Sequence, residues 1–304
     1  MNFLALIGAL ALSYYRPHTK LDWLQQVFSP YAKTLERNFN GGKNRHGVLA
    51  WLLAVFLPVF LLGVGYWVLH EVSPFLGVLC GIVILYATLR FSQFGKRAEL
   101  IVAALRSGNL EDARQLLSSW ESADASQYSA TQVARVSIET MLRRAHQGLF
   151  APIFWFVILG PAGALLYRLA HLAKTEWHSD DETLFNHFAR KAFEFLDWLP
   201  ARVTAGSFAV VGDFEDAVYC WRTQAETWPD KILGIVLTSG AGALGVKVGE
   251  PLTHGDHLEF RPEIGMGDEA DADYLQSSIG LVWRVLVLMV GLLLLLTFAH
   301  WLGN

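Results

Sequence analysis

Arg168 and Arg202 are the side chains of this chain whose surroundings most demand an explanation in chemistry. Arg168 lies directly behind Tyr167 near the end of an apolar stretch, 149–171. Arg202 follows Trp198-Leu199-Pro200-Ala201 and precedes Thr204. A guanidinium in apolar surroundings must find an acid, a carbonyl or an anionic ligand, because leaving it bare is costly. Two readings stay open: pairing with Asp197 or Glu194, or capture of an anionic small molecule. Arg143-Arg144, just before the stretch at 149, could hold a phosphate or simply mark a cytoplasmic membrane end.

Other constellations read as structure. His254, Asp256, His257 and Glu259 sit within six residues, but nothing in the sequence orders them, so a solvated loop is expected and no metal site is assigned. Gly240-Ala241-Gly242-Ala243-Leu244-Gly245 matches the dinucleotide fingerprint in form. No βαβ unit surrounds it, and small residues at that spacing let helices approach closely. Cys80 and Cys220 are far apart and show no metal-type spacing. The net charge of −4 gives no reason to expect nucleic acid.

The elements that position these residues are membrane elements. Of 304 residues, 53% are hydrophobic and 17% charged, against about 25% charged in soluble domains. Residues 3–15 are apolar but short, with no positive region before them and no clear cleavage site, so a removable signal peptide is not expected. Val48–Leu69 runs long enough to span without a charge, and Pro74–Leu89 returns after a tight link. The polar stretches on either side of this hairpin, 16–47 and 90–148, are rich in Lys and Arg, which places both in the cytoplasm. Residues 279–302 form the clearest C-terminal span, with Arg284 free to snorkel to the interface. The stretch 149–171 carries Gly160, Pro161, Gly163 and Arg168, breakers and a charge that a plain anchor does not need; such a segment faces protein or a cavity.

The expected fold is therefore all-α: a multi-pass helical integral membrane protein with re-entrant or broken helices and a cytoplasmic helical region. Its parts are 1–90 (N-terminal segment and hairpin), 91–148 (cytoplasmic helices), 149–252 (membrane core), 253–278 (an acidic loop with one cation, Arg261) and 279–304 (C-terminal span). Gly108-Asn109-Leu110-Glu111-Asp112-Ala113 echoes Gly212-Asp213-Phe214-Glu215-Asp216-Ala217. Asn109 and Asp213 are good N-caps, so convergent helix capping explains the echo.

Three segments resemble the CobD/CbiB family, the membrane-bound adenosylcobinamide-phosphate synthases of cobalamin biosynthesis. Ala151-Pro152-Ile153-Phe154-Trp155 with Gly160-Pro161-Ala162-Gly163-Ala164-Leu165-Leu166-Tyr167-Arg168 is similar to its APLFW and GPPGALAYR. Trp198-Leu199-Pro200-Ala201-Arg202-Val203-Thr204-Ala205 resembles its WIPARLTA, and Ala241-Gly242-Ala243-Leu244-Gly245-Val246 its AGALGV. The resemblance covers roughly 139–250. It implies an enzyme of the bacterial inner membrane that joins a carboxylate of cobyric acid to aminopropanol or its phosphate, with magnesium and a nucleotide as cofactors. Its corrinoid substrate would be the anionic partner beside the lipid bilayer, and a homo-oligomer is compatible with it.

The family's acidic strip ESxAENxxDG is rewritten here. Glu139 keeps the first acid, but Arg143, Arg144 and Gln147 stand at the later Glu, Asn and Asp places, and only Gly148 then agrees. His171 and Lys174 replace an Asn and an Asp after the YR motif. At most Pro17-His18 remains of an N-terminal PHPV motif, and the SPN motif has no counterpart near Asp230. Enzyme activity is therefore left open by the resemblance, with Glu139 and Tyr167 the catalytic candidates and Arg168, Arg202 and Thr204 the ligand-binding ones. AmpE-type proteins, relatives linked to cell-wall recycling and β-lactamase induction, also lack these acids. The stretches Leu196–Arg202 and Gly212–Trp221 resemble them, which makes a non-catalytic modulator the alternative.

Overall fold

The structure, a computed structural model, describes residues 2–15, 23–40, 44–121, 124–178, 184–254 and 257–303. Pro17-His18 and Asp256 lie outside the described residues. In chain order the helices are α1 (Asn2–Tyr15), α2 (Trp23–Phe39), α3 (Asn44–Trp51), α4 (Leu57–Val72), α5 (Pro74–Thr88), α6 (Phe91–Arg106), α7 (Leu110–Glu121), α8 (Ala130–Ala145), α9 (Ala151–Glu176), α10 (Leu184–Val211), α11 (Phe214–Gln224), α12 (Lys231–Leu244) and α13 (Ala272–Gly303). The strands are β1 (Lys247–Gly249), β2 (Leu252–His254), β3 (His257–Glu259) and β4 (Glu263–Gly265). Helices dominate as the composition predicts, and the protein is an all-α membrane protein. Arg45–Val72, Ala130–Glu176 and Ala272–Ala299 are long and apolar enough to cross a bilayer.

The chain forms two compact units, residues 1–91 with 148–200, and 92–147 with 201–304. In the first, α4 and α5 pack as the expected hairpin, joined at Ser73, and α1, α4 and α5 all lie against α9. One core gathers Phe28 and Leu35 of α2, Trp51 and Val55, Leu169 of α9 and its C-cap Trp177, and Phe185 and Phe193 of α10.

The breakers in α9 act as their types dictate. Gly160 sits at φ 65°, ψ −154°, a conformation open essentially to glycine alone. The chain doubles back there: a Cβ at Gly163 would strike the carbonyl oxygen of Trp155, eight residues earlier. In a continuous helix those residues would be about 12 Å apart. Helix α9 is thus two legs joined at Gly160. Ile158 and Leu159 at the bend are half exposed, while Pro161 and Ala162 lie near Gly81 and Gly63 of the α4–α5 hairpin.

In the second unit α11 packs on α12, and α8 packs on α12 and α13. The capping echo holds. Asp213 Oδ1 accepts from the Asp216 N–H at 3.0 Å, and Asn109 Oδ1 from that of Asp112 at 3.2 Å. The glycine-rich segment closes α12 and serves packing. Gly242 lies against the Asp216 carbonyl, and Gly245 takes the left-handed C-cap at φ 66°. The acidic stretch carries short antiparallel ribbons, with β1 paired to β4 (Val248 opposite Ile264) and β2 to β3 (Thr253 opposite Leu258). Hydropathy periodicity does not announce three-residue strands. Arg284 reaches the Val211 carbonyl at 2.8 Å.

Candidate functional site

Glu139 is buried on α8 and tied to groups of the acidic stretch and its ribbon. Its Oε1 accepts from the Gly249 N–H at 2.8 Å and from the Arg261 guanidinium at 2.8 Å. Side-chain exposure is 8% for Glu139 and 11% for Arg261, so the pair is close to fully desolvated. One turn earlier Arg135, also buried, pairs with Glu250 and Glu269. The two positions share a face of α8 at four-residue spacing. Together they clamp the β1–β4 ribbon, whose Glu250 stands at φ 83°, a strained left-handed position for a non-glycine residue. The Arg261 guanidinium lies 5.3 Å from the Trp228 ring centroid. The single cation of the acidic stretch is therefore the partner of the acid kept from the family strip.

The arginines of that strip are committed as well. Arg143 and Arg144 both pair with Glu121, and Arg144 also donates to the Trp120 carbonyl and lies 5.7 Å from that ring centroid. The donor set at 139–148 is a carboxylate held by Arg261 and two guanidiniums held by one glutamate. It does not fit a magnesium–nucleotide site there. Among the described residues no group of three His, Cys, Asp or Glu is placed to hold a metal.

Tyr167 and Arg168 are buried in the second leg of α9. Tyr167 Oη donates to Asp197 Oδ1 of α10 at 2.8 Å. Tyr167, His171 and Lys174 follow one another at helical spacing and all meet Phe193, with ring centroids at 5.4 and 5.2 Å and the Lys174 Nζ 5.0 Å from the ring. His171 and Lys174 are the residues at the family's Asn and Asp places, so the departure there is a repacked helix face. Arg168 lies 3.5 Å from His171 Nδ1. Glu194, one of the two acids expected near the arginines, pairs instead with Lys191 at 3.2 Å and Arg190 at 3.9 Å. On the first leg, Trp155 Nε1 donates to the Leu196 carbonyl at 3.1 Å.

Thr204 is buried, and its hydroxyl is 2.9 Å from Nδ1 of His146, which is fully buried. His146 opens a π-helical turn, His146–Phe150, that enters α9. Such turns are frequent at functional sites. Arg202 is half-buried on α10, two residues before Thr204. Of the five candidates, Tyr167 and Arg168 belong to the first unit, and Glu139, Arg202 and Thr204 to the second. Within the second unit Glu139 and Thr204 have separate partners. Sequence reasoning missed His146, Arg135 and Arg261. His146 was one histidine among ten, and pairings 122 residues apart, such as Glu139 with Arg261, have no local signal.

Comparison with known proteins is informative over the full length. Residues 7–282 match the family model described as CobD/Cbib protein. A cobalamin biosynthesis protein CobD of Stutzerimonas stutzeri is 36% identical over 99% of this chain and 98% of its own length. The protein of the same name from Chromobacterium violaceum is 34% identical over 76% of this chain and 74% of its own. That of Halalkalibacterium halodurans is 27% identical over 98% of each. No solved structure matches.

Proposed function

We propose that this chain, which belongs to the CobD/Cbib family, is a multi-pass inner-membrane protein of cobalamin biosynthesis acting where cobyric acid is joined to aminopropanol or its phosphate. The observation that carries the reading is the likeness, over 99% of the chain, to a relative named for cobalamin biosynthesis. The doubled-back α9 supports it, because a bend at Gly160 and a buried Tyr167–Asp197 bond build a polar interior where a plain span would be apolar. In this reading Arg202, two residues before Thr204 on α10, holds an anionic group of a corrinoid. Glu139 serves as the anchor of the β1–β4 ribbon. The test is rescue of a strain lacking the cobinamide-phosphate synthase, scored as cobalamin-dependent growth without added cobinamide. Rescue is expected, and Arg202→Ala should abolish it while the protein stays inserted and stable. Failure of the wild-type chain to rescue, with the protein present in the membrane, would sink the reading.

A second reading is favoured by one observation. The strip at 139–148 is an ion-paired joint rather than a set of available acids. A non-catalytic membrane modulator of the AmpE kind needs the scaffold and not the acids. Restoration of β-lactamase induction in a strain lacking its AmpE-type protein, without corrinoid rescue, would select this alternative.

A further inference from the structure

We infer that α2 is a lipid-binding helix whose outer face lies in the headgroup layer of the bilayer and recruits anionic phospholipid through Lys33 and Arg37. The inference is independent of the functional reading above. Helix α2 is apolar on two sides. Phe28, Ala32 and Leu35 form the inner stripe and are buried in the core of the first unit. Trp23, Val27 and Tyr31 recur every four residues on another face and are 50%, 66% and 40% exposed. An ordinary surface helix has a single apolar stripe and a polar remainder, so the outer stripe needs a cover.

What surrounds α2 identifies that cover. Tyr31 Oη donates to the Leu53 carbonyl at 3.0 Å, within the membrane-length stretch Arg45–Val72. Leu49, Leu52, Phe56 and Phe60 of that stretch are exposed at helical spacing, the pattern of a lipid-facing stripe. The stripe of α2 meets this surface at Tyr31. On the inner side Ser29 donates to Glu176, and Trp177 Nε1 donates to the Ala32 carbonyl at 3.0 Å, so the polar end of α9 is also fixed to α2. A helix tied near the N-terminal end of one membrane element and to the polar end of another sits at the edge of the hydrocarbon, where Trp and Tyr prefer to lie. Lys33 and Arg37 are exposed and border the outer stripe on the side away from the core. Apolar immersion plus flanking cations is the combination that binds anionic lipid surfaces.

The test uses the full-length protein with Cys80→Ala and Cys220→Ala, in nanodiscs of phosphatidylcholine with or without phosphatidylglycerol. A nitroxide at Val27→Cys should be reached by oxygen and shielded from a water-soluble nickel chelate, whereas one at the exposed Glu111→Cys on α7 should show the reverse. Lys33→Ala with Arg37→Ala should lower the preference for phosphatidylglycerol over phosphatidylcholine by about fivefold per charge. Nickel access at Val27→Cys equal to that at Glu111→Cys would overturn the proposal. So would spin–spin broadening between Val27 labels, which would show a second copy of the chain on that face. Should the double charge variant fail to fold, the Val27 label on the wild-type charges still decides.

Discussion

Tyr167 and Glu139 are both buried polar residues on helices, and they are held in different ways. Tyr167 meets α10 through its hydroxyl, which donates to Asp197, and through the Phe193 ring, in a leg created by the bend at Gly160. Glu139 is fixed by a guanidinium and a backbone N–H, with a second ion-paired arginine one turn away. One contact is an ion pair with a backbone N–H beside it; the other is a neutral hydroxyl donating to a carboxylate. The acid kept from the family strip is thus tied to the ribbon beside β1, and the motif around the bend carries a buried polar contact.

The contrast breaks most visibly at the ion pair. Arg261→Ala and Glu139→Ala should each cost about 3–5 kcal/mol, because each leaves a buried charge without its partner. The double variant should cost little more than either single one, which thermal unfolding in detergent can measure as a coupling energy. Independent, additive losses would show that the fastening is not a unit. At the bend, Gly163→Ala forces a methyl group into the Trp155 carbonyl and should cost about 1–3 kcal/mol, read in the same assay. An unchanged midpoint would mean that the legs separate easily.

Tyr167→Phe should cost about 1–2 kcal/mol by removing the hydroxyl that donates to the buried Asp197. If the polar leg serves the ligand, it should also reduce corrinoid rescue more than this stability loss explains; equal rescue by Phe would assign Tyr167 to packing alone. The smallest effect concerns Cys220, where burial and the neighbouring Asp216 raise the thiol to about 11. The thiolate is the reactive form. Iodoacetamide labelling followed by mass spectrometry should find Cys220 nearly inert at pH 8 and reactive only as pH approaches 11. Rapid labelling at pH 8 would place Cys220 outside the packed α11–α12 interface.

What could be read from the sequence follows the range of the interactions involved. Gly160, Pro161 and Gly163 announced a broken apolar segment because backbone freedom is written in residue type. Asp213 and Asn109 announced helix starts because a cap needs only the next three residues. The alternatives for Arg143-Arg144 could not be separated, since Glu121 lies on another helix and nothing local names it. Strands of three residues in the acidic stretch carry no usable alternation. Arg261 looked like a stray cation among acids until the fold placed Glu139 opposite it.

The bend at Gly160 also constrains how the protein is made. A segment that doubles back cannot be handed to the lipid as one continuous rod. Its turning point lies beside Gly63 and Gly81, on helices that leave the ribosome about 80 to 100 residues earlier. The glycines that face the bend are thus synthesised before it. Bulky residues at Gly63 or Gly81 would crowd the place of the bend ahead of time, and their defect would surface as misinsertion of a segment in which no residue had been changed.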